Sequence, residues 1–223
     1  MGEQPAPPPE FQLRLSAARL LVSTARAGGN KLALADALKE LGNIERRPPQ
    51  LREDANRTYS EAAELYRELE MPLEAAWVIR HIGINHEYAE QLDEAEKYYD
   101  ESLALFRQHA DEDDNNYANT VRYPAVIKNL VGKRNESTAL WEEAVRRYAE
   151  MDQPVPVAEG ATWLAIFAID RGDLALAGEW FARAEAAAST ARDADTDKWI
   201  AEVRERLNKA RGDVESQNSQ NFT

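Results

Sequence analysis

The sequence predicts an all-α protein built from consecutive helix hairpins, and three observations support this fold class. A triplet with a small residue, an aromatic residue four positions later and a small residue three positions after that occurs four times. Each triplet follows a segment whose apolar residues recur at helical spacing. No segment has the alternating pattern of a convincing β-strand. The repeating unit is therefore predicted to be a pair of helices, with the triplet on the second helix.

The triplets recur in register with a period of about 40 residues. Their first members lie 40, 42 and 40 residues apart. Residues three and four apart share one face of a helix, so two small residues let a neighbouring helix approach while the ring fills the remaining gap. The triplets are Ala55, Tyr59 and Ala62; Ala95, Tyr99 and Ser102; Ser137, Trp141 and Ala144; and Ala177, Phe181 and Ala184.

The first helix of each hairpin precedes its triplet. Turn residues separate the two helices, with RRPPQ at 46–50 in the first hairpin and Gly172-Asp173 in the fourth. Pro124 lies within the third segment and is expected to start or kink the helix near Tyr123, because proline lacks a backbone N–H. The four segments are 31–45, 73–89, 119–132 and 158–172.

The ends of the chain are predicted to cap the stack, because a row of hairpins exposes an apolar surface at each end. The C-terminal cap carries one apolar stripe formed by Trp199, Ile200, Val203 and Leu207. The predicted segments are a disordered Pro-rich N-terminus at 1–10, a capping helix at 11–29, four hairpins at 30–194, a capping helix at 195–211 and a disordered tail at 212–223.

The chain resembles the tetratricopeptide repeat (TPR) family over about residues 30–190. This resemblance implies a right-handed α-α superhelix of four hairpins. The period of about 40 exceeds the usual ~34, and the surplus is expected between hairpins, as at 107–117. The residues that carry the resemblance are Leu41-Gly42 and Ile82-Gly83 for the Leu-Gly pair of the first helix, Gly132 and Gly172 for the turn glycine, and the four triplets for the second helix.

Composition excludes several classes of function. The sequence has 40 acidic residues against 27 Lys and Arg, a net charge of −13, which disfavours nucleic acid and anionic membranes as main partners. No cysteine is present, so disulfides and thiolate chemistry are excluded. The first thirty residues do not match a signal peptide, since Arg14 and Arg19 interrupt their apolar stretch, and a cytoplasmic location is expected. No phosphate-binding loop follows a strand, so no cofactor is expected.

Two segments superficially suggest metal sites. His81 and His86 lie five residues apart, about 140° around a helix, and His86-Glu87 is not followed by the second histidine of a zinc motif. The acidic run at 111–116 lacks the spaced ligands and central glycine of a calcium loop. The first segment is interpreted as a turn between helices and the second as a solvated connector, and no metal is expected.

The family resemblance implies a concave groove lined by the first helices, on the face opposite the Leu-Gly pair. The first three helices contribute one acid to this face, Glu40, and four positively charged residues, Lys39, Arg47, Arg80 and Arg122. The predicted groove residues are Lys39, Asn43, Arg47, Trp77, Arg80, His81, Ile84, Tyr88, Asn119, Arg122, Tyr123 and Trp163, with Val126, Glu159, Thr162 and Ile166 on the same stripes.

The predicted function is a non-catalytic interaction module that binds a peptide or protein segment with acidic and apolar side chains. Arg, Trp and Tyr dominate binding hot spots, which favours a recognition surface. Lys39 and Asn43 match the first-repeat pair with which co-chaperone members hold a peptide carboxylate, but only two of five such positions agree. An open alternative is structural: the tryptophans could pack between helices, and Arg80 or Arg122 could pair with a glutamate of a neighbouring hairpin.

An enzyme, or an enzyme subunit, is the alternative from another functional class. In that case the groove would form a closed small-molecule pocket, with His81 as acid or base hydrogen-bonded to a carboxylate. An adaptor would instead show an open groove. Self-association through the end hairpins is compatible with either function.

Overall fold

The computed structural model describes residues 8–109, 115–191 and 193–220. In this part of the chain all regular structure is helical, which confirms the all-α, helical-repeat fold class. No helix within it is both long and apolar enough to span a lipid bilayer. The helices are α1 Pro9–Gly28, α2 Lys31–Glu45, α3 Arg52–Glu68, α4 Pro72–Tyr88, α5 Leu92–His109, α6 Asn115–Leu130, α7 Arg134–Glu150, α8 Pro154–Asp170, α9 Leu174–Ala191 and α10 Ala194–Gln220, with a 3-10 turn at Pro49–Leu51.

The chain divides into two compact units, Met1–Asp111 and Glu112–Thr223. In the first unit α2 pairs with α3, α4 pairs with α5, α3 joins the two pairs and α1 packs on α2. In the second unit α6 pairs with α7, α8 pairs with α9, α7 contacts α8, and α10 packs on both α8 and α9. Each unit therefore contains two helix hairpins and one terminal helix.

The repeated triplets form the centres of these helix contacts. All twelve triplet residues are buried, and Phe181 is the most accessible of them at 7% exposure. In the two triplets that contain serine, the hydroxyl satisfies a backbone group of the preceding helix. Ser102 Oγ donates to the carbonyl of Ala76 at 2.7 Å, and Ser137 Oγ donates to that of Ala125 at 2.6 Å. The small residues thus permit close helix approach, as their spacing predicts.

Two glycines of the first helices lie directly against the tyrosines of the triplets. A Cβ atom on Gly42 would stand 2.6 Å from the ring of Tyr59, and one on Gly83 would stand 2.7 Å from the ring of Tyr99. Both rings are fully buried. Their hydroxyls donate to side chains of the glycine's own helix, Tyr59 to Asn43 Oδ1 at 2.8 Å and Tyr99 to Glu87 Oε2 at 2.5 Å. The Leu-Gly pair is therefore a close-packing position.

Replacing Gly83 with alanine should lower the free energy of unfolding by about 1–3 kcal/mol. Alanine favours a helix by about 1 kcal/mol over glycine, but here its methyl group would overlap a ring that is buried and hydrogen-bonded. Urea denaturation followed by circular dichroism measures the change. Gly212→Ala, inside α10, is the matched control, because nothing lies within 4 Å of a Cβ at that position. A Gly83→Ala variant as stable as the control would contradict this packing.

Left-handed residues end the helices at the turns. Gly132 and Gly172, the predicted turn glycines, have φ angles of 82° and 76°. Glu70, Glu90 and Asp152 adopt the same region with φ angles of 58°, 58° and 52° at three further turns. The sequence does not reveal these three positions, because non-glycine residues enter this region only when the surrounding structure compensates for its cost.

Two helix boundaries differ from those that the sequence predicts. Pro124 neither starts nor ends a helix but lies inside α6. Proline removes one backbone hydrogen bond, and the buried neighbours Val121, Ala125 and Ile127 hold the segment in the core. The predicted disordered tail is also helical as far as Gln220, because α10 continues through Gly212, which has no left-handed φ angle.

Two further predictions concern residues outside the described part of the chain. The Pro-rich N-terminus at 1–10 is described only from residue 8, and Pro9 and Glu10 already belong to α1. The acidic connector at 111–116 falls almost entirely on residues that the structure does not describe.

Candidate binding surfaces on the two units

An aromatic cluster with a lysine above it lies on the first unit. The Trp77 and His81 rings stack with centroids 3.7 Å apart, and the Tyr59 ring lies 6.4 Å from the first and 5.7 Å from the second. Lys39 Nζ is 5.6 Å from the Trp77 ring centroid and 5.9 Å from that of Tyr66. Helices α2, α3 and α4 thus bring a cation and aromatic faces within cation–π distance.

His81 supports this cluster from within. Its side chain is buried, and its Nδ1–H donates to the Trp77 carbonyl at 2.8 Å. Burial lowers the pKa of His81 to about 3, the hydrogen bond to Trp77 opposes that shift, and the positive charges of Arg80 and Arg46 add to it. The imidazole is therefore neutral at pH 7. Its Nδ1 binds a carbonyl, whereas the enzyme alternative requires a carboxylate partner.

Three predicted groove residues of α4 are not accessible. Arg80, His81 and Ile84 are 5%, 7% and 8% exposed. The prediction assumed one outward face, but α4 contacts both α3 and α5. Of the eleven positions from Ala75 to Asn85, ten are buried and only Trp77 is partly exposed. These three side chains therefore shape the surface from beneath rather than presenting it.

The other predicted residues of the first unit are more accessible. Arg47 is exposed in the turn after α2. Tyr88 is also exposed, and the guanidinium of Arg52 lies 4.8 Å from its ring centroid. Asn43 is already engaged, because its Oδ1 accepts from Tyr59 and its Nδ2 donates to Glu40 Oε1 at 3.4 Å.

Sequence reasoning missed two further basic residues of the first unit, Arg46 and Arg52. Arg46 is near enough to His81 and Tyr59 to influence both their pKa values. The sequence does contain a signal for this positive charge, because residues 46–52 include three arginines and no acid.

On the second unit, Arg122 is paired with an acid. Its Nε and a terminal nitrogen donate to the two Glu159 oxygens at 2.7 and 2.8 Å. Burial alone would lower the pKa of Arg122, but this two-pronged hydrogen bond and the charge of Glu159 raise it. Tyr123 lies beside the guanidinium, with a ring centroid 5.6 Å away. The alternative of pairing with a neighbouring hairpin is thus observed for Arg122.

Two more predicted groove residues of this unit make internal contacts. Asn119 Oδ1 accepts a hydrogen bond from the Tyr148 hydroxyl at 2.9 Å. The Trp163 ring meets Trp199 of α10 edge-on at 5.4 Å between centroids and lies 5.8 Å from Phe167. Trp163 therefore contacts the terminal helix, whose Ile200, Val203 and Leu207 are buried as their predicted stripe requires.

The histidine segment forms a turn contact rather than a ligand pair. His86 Nδ1 lies 2.6 Å from Gln91 Oε1, and its ring stacks on Tyr98 at 5.3 Å. Among the residues with described positions, no group of three or more His, Cys, Asp or Glu side chains could hold a metal ion.

Comparisons with known proteins characterise the fold. The crystal structure of BtubC (BKLC) from P. vanneervenii is 17% identical, with a TM-score of 0.70, over 96% of this chain and 93% of that one. A Rap protein complexed with competence and sporulation factor is 14% identical, with a TM-score of 0.61, over 94% of this chain. The Rap conjugation gene regulator of plasmid pLS20, in complex with the Phr* peptide, is 14% identical with a TM-score of 0.54, also over 94%. The fold is that of a helical-repeat protein.

Sequence comparison adds no family to this fold. No family model matches the chain, and no curated protein matches it. The chain spans 60% and 65% of the lengths of the two Rap proteins, which is less than two thirds of each. At these levels of identity the likeness concerns the fold alone.

Proposed function

We propose that the protein is a non-catalytic interaction module of the tetratricopeptide type, with four repeats formed by α2–α9, that binds a peptide segment of a partner protein. One protein of similar fold was solved in complex with competence and sporulation factor, and another in complex with the Phr* peptide. The close packing of Gly42 on Tyr59 and of Gly83 on Tyr99 supports the repeat assignment. The proposal includes the cytoplasmic location expected from the sequence.

Lys39 provides the observation that carries this proposal. Lys31, Lys97 and Lys128 each pair with a glutamate, whereas Lys39 and Arg47 form no salt bridge with any residue that the structure describes. The chain has 40 acids against 27 Lys and Arg, yet neither of these two cations forms an ion pair with a described acid. Lys39 lies against the half-buried Trp77 instead. A carboxylate from outside would find the lysine available and an aromatic surface beside it.

The structure changes which residues are expected to contact such a peptide. Lys39 and Arg47 would meet its acidic side chains, and Trp77 and Tyr88 would contact its apolar ones. Arg80, His81 and Ile84 would hold these residues in position. Arg122 would contribute less, because a peptide carboxylate would have to displace Glu159 from a two-pronged pair.

Selection from a displayed random-peptide library tests this function. The wild-type protein should enrich peptides that combine Asp or Glu with large apolar residues. A double variant, Lys39→Ala with Arg47→Ala, should bind the selected peptide about tenfold more weakly, because each accessible ion pair contributes up to about 1 kcal/mol. The binding of the wild type should weaken as salt rises.

Lys97→Ala is the control variant, since Lys97 is an exposed lysine on α5 that already pairs with Glu94. Fluorescence anisotropy with the selected peptide should give it the wild-type affinity. Enrichment of basic peptides, or equal affinity for the double variant and the control, would place the binding surface elsewhere.

A further inference from the structure

Helix α1 carries two apolar faces, and only one of them is buried. Leu15, Ala18 and Val22 are buried on the side that packs against α2. On the opposite side Leu13, Leu20 and Leu21 are 73%, 68% and 60% exposed. At 100° per residue, the face around these leucines is completed by small residues, namely Ala17, Thr24, Ala27 and Gly28.

The charges of α1 are directed away from this outer face. Arg19 pairs with Glu45 at 3.4 Å and Arg26 pairs with Glu61 at 2.5 Å, so both arginines lie toward the remainder of the first unit. Arg14 lies at one edge and Glu10 precedes the leucines. Between Leu13 and Gly28 the outer face is consequently an apolar stripe without a charged residue, about four turns long.

The terminal helix of the second unit differs. Helix α10 also buries one stripe, at Ile200, Val203 and Leu207, but most of its described exposed positions are polar, for example Glu202 and Glu205, and Val214 is an isolated exception. The terminal helices of repeat proteins need such a polar outer side for solubility. The outer side of α10 meets this requirement, and that of α1 does not.

We propose that the outer face of α1 binds the outer face of α1 from a second copy of the chain, in an antiparallel dimer with two-fold symmetry. With a two-fold axis between Leu20 and Leu21, residue n of one copy lies opposite residue 41 − n of the other copy. Leu13 then meets Gly28, and Ala17 meets Thr24. Large residues thus face small ones at both ends, with leucines at the centre, which is the self-complementarity that a symmetric interface requires.

Charge favours the antiparallel arrangement over a parallel one. A parallel pair would place Arg14 beside Arg14, whereas the two-fold axis places Arg14 of one copy opposite Ala27 of the other. The α1 segment has three arginines and one glutamate on a chain of net charge −13, so two acidic copies repel each other less at this face than elsewhere.

Sedimentation equilibrium of the full chain tests the dimer. One helix pair buries less than a standard interface, so we expect a reversible dimer with a dissociation constant in the micromolar range. Leu13→Ser with Leu20→Ser should weaken it at least about tenfold, because two apolar contacts per copy are lost. Leu130→Ser, at another exposed leucine, should leave the dissociation constant unchanged. Unchanged circular dichroism would show that the variants remain folded.

Two results would each overturn the proposal: a wild-type protein that is monomeric at about 200 μM, or a dimer whose dissociation constant does not change with the leucine substitutions.

Discussion

Lowering the pH from about 7.5 to about 5 should reduce the free energy of unfolding by about 2 kcal/mol through His81 alone. The folded pKa of this histidine is lowered from its ordinary value of 6.5 to about 3, first because the side chain is buried and also because Arg80 and Arg46 are near. The hydrogen bond to the Trp77 carbonyl opposes the shift without reversing it.

The sign of this effect follows from proton binding. Between pH 6.5 and pH 3 the unfolded chain binds a proton at His81 and the folded protein does not. Protons therefore favour the unfolded state, and stability falls as the pH falls through this interval. Above pH 6.5 both states carry a neutral ring, so His81 contributes no slope there.

Urea denaturation at a series of pH values measures the slope. A His81→Phe variant retains an aromatic ring against Trp77 but has no group to protonate, so the acid-dependent loss should shrink by about 2 kcal/mol over the same range. His86→Gln controls for removal of a histidine outside the buried cluster. Equal slopes in the wild type and in His81→Phe would contradict a buried neutral histidine.

Replacing Trp141 with alanine should destabilise the protein by about 3–5 kcal/mol. Trp141 is the largest fully buried side chain and belongs to the third triplet, on α7. A Cβ on Gly160 of α8 would lie 2.9 Å from its ring and 2.4 Å from Val145, so α8 approaches closely at this point. Truncation would remove the ring around which α7 and α8 pack and leave a cavity that rigid helices cannot close.

Two further variants separate cavity formation from other causes. The Trp141 indole N–H has no hydrogen-bond partner among the described residues, so Trp141→Phe sacrifices no hydrogen bond and should cost only about 1–2 kcal/mol. Trp180→Ala, at a partly exposed tryptophan on α9, should cost less than Trp141→Ala. Urea midpoints by circular dichroism give the order, and a Trp141→Ala variant as stable as Trp180→Ala would show that the ring is not central to the helix contact.

The repeated packing positions could be predicted because they depend on short distances along the chain. Tyr59 and Gly42 belong to adjacent helices, and the spacing of three and four residues already places the small residues on the same face as the ring. The same local logic identified the turn glycines and the buried stripe of α10. Three turns could not be predicted in this way, because Glu70, Glu90 and Asp152 adopt left-handed backbone conformations that non-glycine residues do not favour.

Which predicted groove residues are accessible was decided by contacts between distant parts of the sequence. Arg122 and Glu159 are 37 positions apart in the sequence and lie on different helices, α6 and α8. Trp163 meets Trp199 of the terminal helix, and Arg80, His81 and Ile84 are buried because α4 has neighbours on two sides. A helical wheel assigns a residue to a face, but only the packed neighbours determine whether that face meets solvent, an acid or another ring. Helix spacing and the sequence of hairpins were therefore encoded locally, whereas the availability of Lys39 and the burial of His81 were set by the tertiary structure.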